Sequence, residues 1–160
     1  MLLFFKNLLF TVLVPGTVAV YLPLLIAQGN LQSSRLHFVL SLPVFLIGLI
    51  IYGWCLWDFA SFGRGTPAPI DAPKKLVTHG LYQYSRNPMY LGVLTVILGW
   101  IVLFWNLALL AYGFVVWLVF HFFVVYYEEK LLQKEFGKKY QQYCGRVGRW
   151  FSLFGQSLAV

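Results

Sequence analysis

Six side chains with polar or ionisable groups, His79, Tyr82, Tyr84, Arg86, Asn87 and Tyr90, crowd around the start of a long uncharged run. Two adjacent carboxylates, Glu128 and Glu129, stand where that run ends. A carboxylate pairs with an amino group, an arginine with a carboxylate, and an aromatic face with a sulfonium or ammonium. Brought together, these residues would surround a cationic or zwitterionic ligand. His121 joins them as a candidate: by helical rise it lies about 9 Å inward from Tyr127, and Glu128, seven residues on, falls on nearly the same face. Each residue also has a plainer reading. The two glutamates would mark the end of a membrane helix, Arg86 a charged flank, the tyrosines an aromatic belt, and His121 an interhelical hydrogen bond. No HExxH, GxSxG or CxxC sequence is present, so no metal ligand set is expected.

The elements that must position these residues follow from charge. Residues 87–127 contain no Asp, Glu, Lys or Arg, and residues 7–34 and 36–57 are also free of charge. A bilayer core of about 30 Å takes about 20 helical residues. The pattern predicts an all-α integral membrane protein with four transmembrane helices: helix 1 at Leu8–Ala27, helix 2 from about His37 to Trp57, helix 3 at Met89–Phe104 and helix 4 at Leu107–Tyr127. Helices 3 and 4 would form a hairpin broken near Trp105-Asn106. Pro15-Gly16, Pro23 and Pro43 are expected bends. Leu132, Phe136, Tyr140 and Tyr143 then repeat at helical spacing among Lys130, Lys134, Lys138 and Lys139, which predicts a C-terminal amphipathic helix on the membrane surface or closed over the loop before helix 3. Trp150 to Phe154 reads as an interfacial anchor.

The chain is 60% hydrophobic and 11% charged, with six Trp, ten Tyr and fifteen Phe, as expected of extensive lipid-facing and interfacial surface. Its formal charge of +7 is gathered in the polar segments rather than spread over a soluble face. Anionic headgroups are therefore expected partners and nucleic acid is not. Residues 1–160 read as a single domain, with a cytoplasmic loop at 58–88 and a cytoplasmic amphipathic tail at 128–160. Under four spans, Arg35 alone of the twelve Lys and Arg residues lies across the membrane from the others, which places both termini in the cytoplasm. The loop carries Gly63-Arg-Gly-Thr-Pro-Ala-Pro69 and Asp71-Ala-Pro73, an ordered turning sequence long enough to fold over a pocket mouth.

Three segments in order, Gly63–Pro69, Leu76–Gly92 and Glu128–Tyr143, resemble the isoprenylcysteine carboxyl methyltransferase and phospholipid methyltransferase superfamily of integral membrane enzymes. The resemblance covers roughly residues 60–150. Members usually carry Arg-His-Pro-x-Tyr where this chain has Arg86-Asn87-Pro88-Met89-Tyr90. The resemblance implies S-adenosylmethionine as cofactor. It implies a cofactor pocket of His79, Gly80, Tyr82, Arg86, Asn87, Pro88, Tyr90, Glu128 and Glu129, with Arg86 and Glu129 carrying cofactor binding or acceptor placement. Pro88 suits the first turn of a helix, and Gly92 and Gly99 would let helices approach closely.

The function expected is methyl transfer to a lipophilic membrane acceptor, a membrane lipid or lipidated small substrate, with an isoprenylcysteine-like carboxylate favoured. Phospholipid amine N-methylation and small-thiol S-methylation are the enzymatic alternatives. A non-catalytic lipid-binding or scaffold protein is the other class. The setting expected is a multi-pass protein of a bacterial inner membrane, with its oligomeric state open.

Overall fold

The computed structural model describes residues 13–28, 33–59, 61 and 76–152. Within them the chain is all-α, with five helices: α1 (Thr17–Ala27), α2 (Arg35–Asp58), α3 (Pro88–Phe104), α4 (Leu107–Phe136) and α5 (Lys138–Arg146). A short 3-10 turn at Gly80–Gln83 precedes α3. The expected start of helix 1, both Pro-rich turns of the 58–88 loop and Phe154 of the expected anchor lie outside the described residues.

Local chemistry explains these boundaries. Ser34 caps α2 by accepting from the His37 N–H at 3.2 Å, as a serine N-cap does. Pro88 occupies the first turn of α3, where its missing N–H costs nothing. Trp105 ends α3 in the left-handed region at φ 46°. Asn106 then opens α4 with its Oδ1 accepting from Ala108 N at 2.8 Å. The helix widens into a π turn at Val124–Glu128 and continues to Phe136. Gly137, at φ 52°, separates it from α5.

The architecture of four transmembrane helices with a helix 3–4 hairpin is corrected by these lengths. Among the described residues, two helices, α2 and α4, are long and apolar enough to cross a membrane. α3 has 17 residues, roughly 26 Å at 1.5 Å per residue, short of a bilayer core of about 30 Å. α1 is shorter still in its described part. Length without charge is not length of helix: the uncharged run 87–127 is divided unequally. Its second helix carries on through Glu128, Glu129 and Lys130 without a break.

The core brings Ala19, Tyr52, Val93, Val96, Ile97 and Val116 together from α1 to α4. α2 and α3 pack backbone to backbone. A Cβ on Gly92 would lie 3.0 Å from Tyr52 N and 3.1 Å from Gly48 O, and one on Gly99 would meet the Phe45 ring at 2.7 Å. Outward, Leu46, Ile47, Leu49 and Ile50 of α2 and Phe114, Val115, Val119 and Phe122 of α4 are exposed, an apolar jacket that fits membrane association. The C-terminal ends of α2 and α4 and the N-terminal end of α3 meet at one pole, as His79–Asp58 and Arg86–Glu129 contacts show. α5 closes that pole: Tyr140, Tyr143 and Val147 form a buried cluster against which Leu76, Leu132 and Phe136 pack.

Candidate active site

The pole collects nearly all the residues singled out above, but sorts them into separate contacts. Arg86 leaves the turn before α3 and donates from Nη1 to Glu129 Oε1 at 3.0 Å and to Cys144 Sγ at 2.9 Å. Glu129 is gripped from its other side by Arg149, whose Nε donates to Oε1 at 2.7 Å and Nη2 to Oε2 at 3.0 Å. That hydrogen bonding raises the Arg149 pKa above its already high value and keeps the guanidinium charged. Both partners of the Arg86–Glu129 pair are largely shielded, at 13% and 20% side-chain exposure, so solvent screens it less than an open surface pair.

Glu128 faces elsewhere, because consecutive residues on a helix point about 100° apart. Its Oε2 accepts from the Tyr90 hydroxyl at 3.0 Å, and the Tyr90 ring packs on Phe120 with centroids 4.7 Å apart. His79 lies 3.7 Å from the buried Asp58 carboxylate. Gly80, at φ 61°, sits where a Cβ would come within 2.5 Å of Asp58 Oδ2. Tyr82 is buried beside Cys55 and Phe59; burial, with Cys55 against it, pushes its hydroxyl pKa well up and keeps it neutral. Its carbonyl accepts from the Tyr143 hydroxyl at 2.7 Å, which ties α5 to the turn.

Asn87 and Pro88 are buried. Asn87 donates from Nδ2 to the Arg149 carbonyl at 3.0 Å, so its side chain is spent on the chain itself. His121 accepts at Nδ1 from Trp150 Nε1 at 3.2 Å. This histidine is hydrogen-bonded within the chain, but to the non-helical segment after α5 rather than to another helix.

Arg86 and Glu129 line an open groove of about 560 Å³, together with Val125, Lys130, Gln133, Lys134, Tyr140 and Cys144. Arg86 Nε is buried without a hydrogen-bond partner among the described residues. A buried N–H without an acceptor is costly; it is the guanidinium as a whole that lines the groove, and a guanidinium pairs with a carboxylate. A guanidinium, a carboxylate and flanking ammonium groups suit the amino-acid end of a zwitterionic ligand.

Sequence reasoning missed Arg149, Asp58, Cys144 and Ser85. In the sequence Arg149 is one basic residue among several on the tail. The available signal was Val147-Gly148-Arg149-Trp150 after the amphipathic helix, a glycine turn able to swing an arginine back. Nothing local marked Asp58, since its position beside Gly80 arises only from the packing of α2 on the turn.

The family described as phospholipid methyltransferase matches residues 36–139. The protein-S-isoprenylcysteine O-methyltransferase B of Arabidopsis thaliana is 41% identical over 76 residues, which cover 46% of this chain and 37% of that protein. A probable protein-S-isoprenylcysteine O-methyltransferase of Oryza sativa subsp. indica is 38% identical over 74 residues, covering 46% and 38%. The chain thus spans well under half the length of these curated relatives.

Proposed function

The chain belongs to the phospholipid methyltransferase family of S-adenosylmethionine-dependent enzymes, and on that premise we propose that it transfers a methyl group to a lipophilic membrane acceptor. The observation that carries the reading is the Arg86–Glu129 pair on the wall of a groove at the polar pole of two long apolar helices. The favoured acceptor is an isoprenylcysteine-like carboxylate, after the names of the relatives. The family's description favours a phospholipid amine as the second reading.

S-adenosylmethionine, when bound, supplies a methyl group already activated on a sulfonium, so the protein's share is alignment and electrostatics. Glu129 offers a carboxylate to the amino group, and Arg86 offers its guanidinium to a carboxylate. In this reading Tyr90 and Glu128, bonded to each other apart from the residues that line the groove, and His79, Gly80 and Tyr82 at the turn before α3 belong to the same cofactor site. Asn87 and Pro88 contribute by fixing the start of α3 rather than by contact. A carboxylate acceptor needs no base; an amine must shed its proton, and Glu128, Glu129 or His121 is the group to take it.

The polar pole, with the 58–88 loop and the tail beyond 128, faces the cytoplasm of a bacterial inner membrane in this reading, with anionic headgroups around its lysines. Residues 1–160 act as a single unit. Titration of the purified chain with S-adenosylhomocysteine tests the cofactor, and saturable binding is expected. A folded sample without it sinks the reading. Membrane extract incubated with methyl-labelled cofactor then identifies the acceptor: label on a lipid carboxylate is expected, label on phospholipid amine favours the second reading, and label only on water-soluble thiols rejects a lipid acceptor.

A further inference from the structure

The strongest unexplained feature of the pole is that Glu129 is already occupied by the chain's own cations. A carboxylate has about four lone-pair directions. Three are filled, by Arg86 Nη1, Arg149 Nε and Arg149 Nη2. A ligand ammonium entering the groove therefore finds one acceptor direction left, and must bind weakly or displace a guanidinium.

The two arginines are not equally movable. Arg86 comes from the turn that starts α3, is 13% exposed, and also bonds Cys144. Arg149 is 33% exposed and is carried by a strap at residues 147–152. The strap's backbone is pinned without any help from that side chain. Arg86 N donates to Gly148 O at 3.1 Å, and Ser152 N donates to Tyr84 O at 2.7 Å. Ser85 Oγ and Asn87 Nδ2 both donate to the Arg149 carbonyl, and Trp150 is anchored on His121. The guanidinium can leave Glu129 and turn to water while the strap stays in place.

We propose that Arg149 is a tethered cation that fills Glu129 in the ligand-free chain and exchanges for the amino group of an incoming amino-acid-bearing ligand. The exchange conserves charge at the carboxylate, one ammonium replacing one guanidinium, and so avoids leaving a shielded anion bare. Arg149 thereby sets the affinity and charge selectivity of the groove. This rests on the cofactor reading above, with S-adenosylhomocysteine as the probe because it carries the amino-acid end.

The experiment compares the full-length wild type with Arg149→Gln in detergent micelles. Removing the competitor should tighten S-adenosylhomocysteine binding by about fivefold, the size expected for a partly exposed ion pair. 5′-Methylthioadenosine, which lacks the amino-acid end, should bind both chains equally. Phenylglyoxal modification of Arg149, located by mass spectrometry, should rise when S-adenosylhomocysteine is added to wild type. It should also rise without ligand in Glu129→Gln. Equal or weaker S-adenosylhomocysteine binding by Arg149→Gln, or protection of Arg149 on binding, overturns the exchange alone. Unchanged Arg149 reactivity in Glu129→Gln overturns the pairing on which it depends. Failure of both chains to bind S-adenosylhomocysteine, in samples that remain folded, overturns the cofactor reading and the exchange with it.

Discussion

Glu129 and Glu128 are neighbours in sequence with different work to do, and the difference is measurable. Glu129→Ala leaves Arg86 and Arg149 facing each other across a shielded site with no anion between them. Arg86→Ala removes the donor with the unpartnered Nε. Each variant should lower S-adenosylhomocysteine affinity by roughly tenfold or more, the loss expected for a charge-assisted hydrogen bond, and should abolish detectable methyl transfer while thermal unfolding still shows a cooperative transition. Transfer that survives both substitutions would favour a site elsewhere, and a non-catalytic lipid-binding role would be favoured by binding without turnover in the wild type. Tyr143→Phe tests a structural contact at the same scale. It deletes the donor to the buried Tyr82 carbonyl and should destabilise the folded chain by about 1–3 kcal/mol, read as a lower melting temperature in detergent. The types of Arg86, Tyr90, Glu128 and Glu129 were readable as a candidate site from sequence because they cluster at the two ends of one uncharged run. Which glutamate meets which partner was not readable, since a 100° turn and a π segment decide it.

At the scale of elements, α1 shows how a proline is accommodated in an apolar setting. Pro23 has no N–H, so the carbonyl of Ala19, four residues before it, loses its helical donor, and the carbonyl of Val18 is passed over because the Leu22 N–H donates to Thr17 O in the π turn. Tyr112 of α4 donates to Val18 O at 2.7 Å, and Trp100 of α3 donates to Ala19 O at 2.8 Å. Neighbouring helices must supply such donors where water is absent. Trp100→Phe should therefore destabilise the fold by about 1–3 kcal/mol. Pro23→Ala in the same chain should recover part of that loss, because it returns a backbone donor to α1. A double variant no more stable than Trp100→Phe alone would show that packing, not the orphaned carbonyl, sets the cost. The α2–α3 interface makes a second prediction. Gly92→Leu places a side chain against the Tyr52 and Gly48 backbones, where neither can yield, and should prevent recovery of folded protein on size-exclusion chromatography. The same substitution at Gly53, which has open space around it, should be tolerated. Gly92 was legible in sequence as a close-approach residue, whereas its partner Gly48 was not, because pairing between helices far apart in sequence carries no local mark.

At the scale of the whole molecule, the proposed orientation places the polar pole in the cytoplasm, and two cysteines report on it. Cys144 lines the groove at that pole, while Cys55 is fully buried. A membrane-impermeant maleimide should label inverted inner-membrane vesicles and leave intact spheroplasts unlabelled, with labelling lost in Cys144→Ser. Labelling of spheroplasts instead would reverse the orientation. The amino-acid sequence by itself determined that the chain is apolar and helical, because apolar content and helical periodicity are written into composition and spacing. It also carried the family resemblance and the break at Trp105-Asn106, where a left-handed residue and an Asn cap are local chemistry. Tertiary structure alone decided how many helices are long enough to cross a membrane, since an uncharged run does not state where its helices stop. It alone decided that the C-terminal strap returns to bring Arg149 onto Glu129, because that contact joins residues 20 apart through the packing of α5 on the turn before α3.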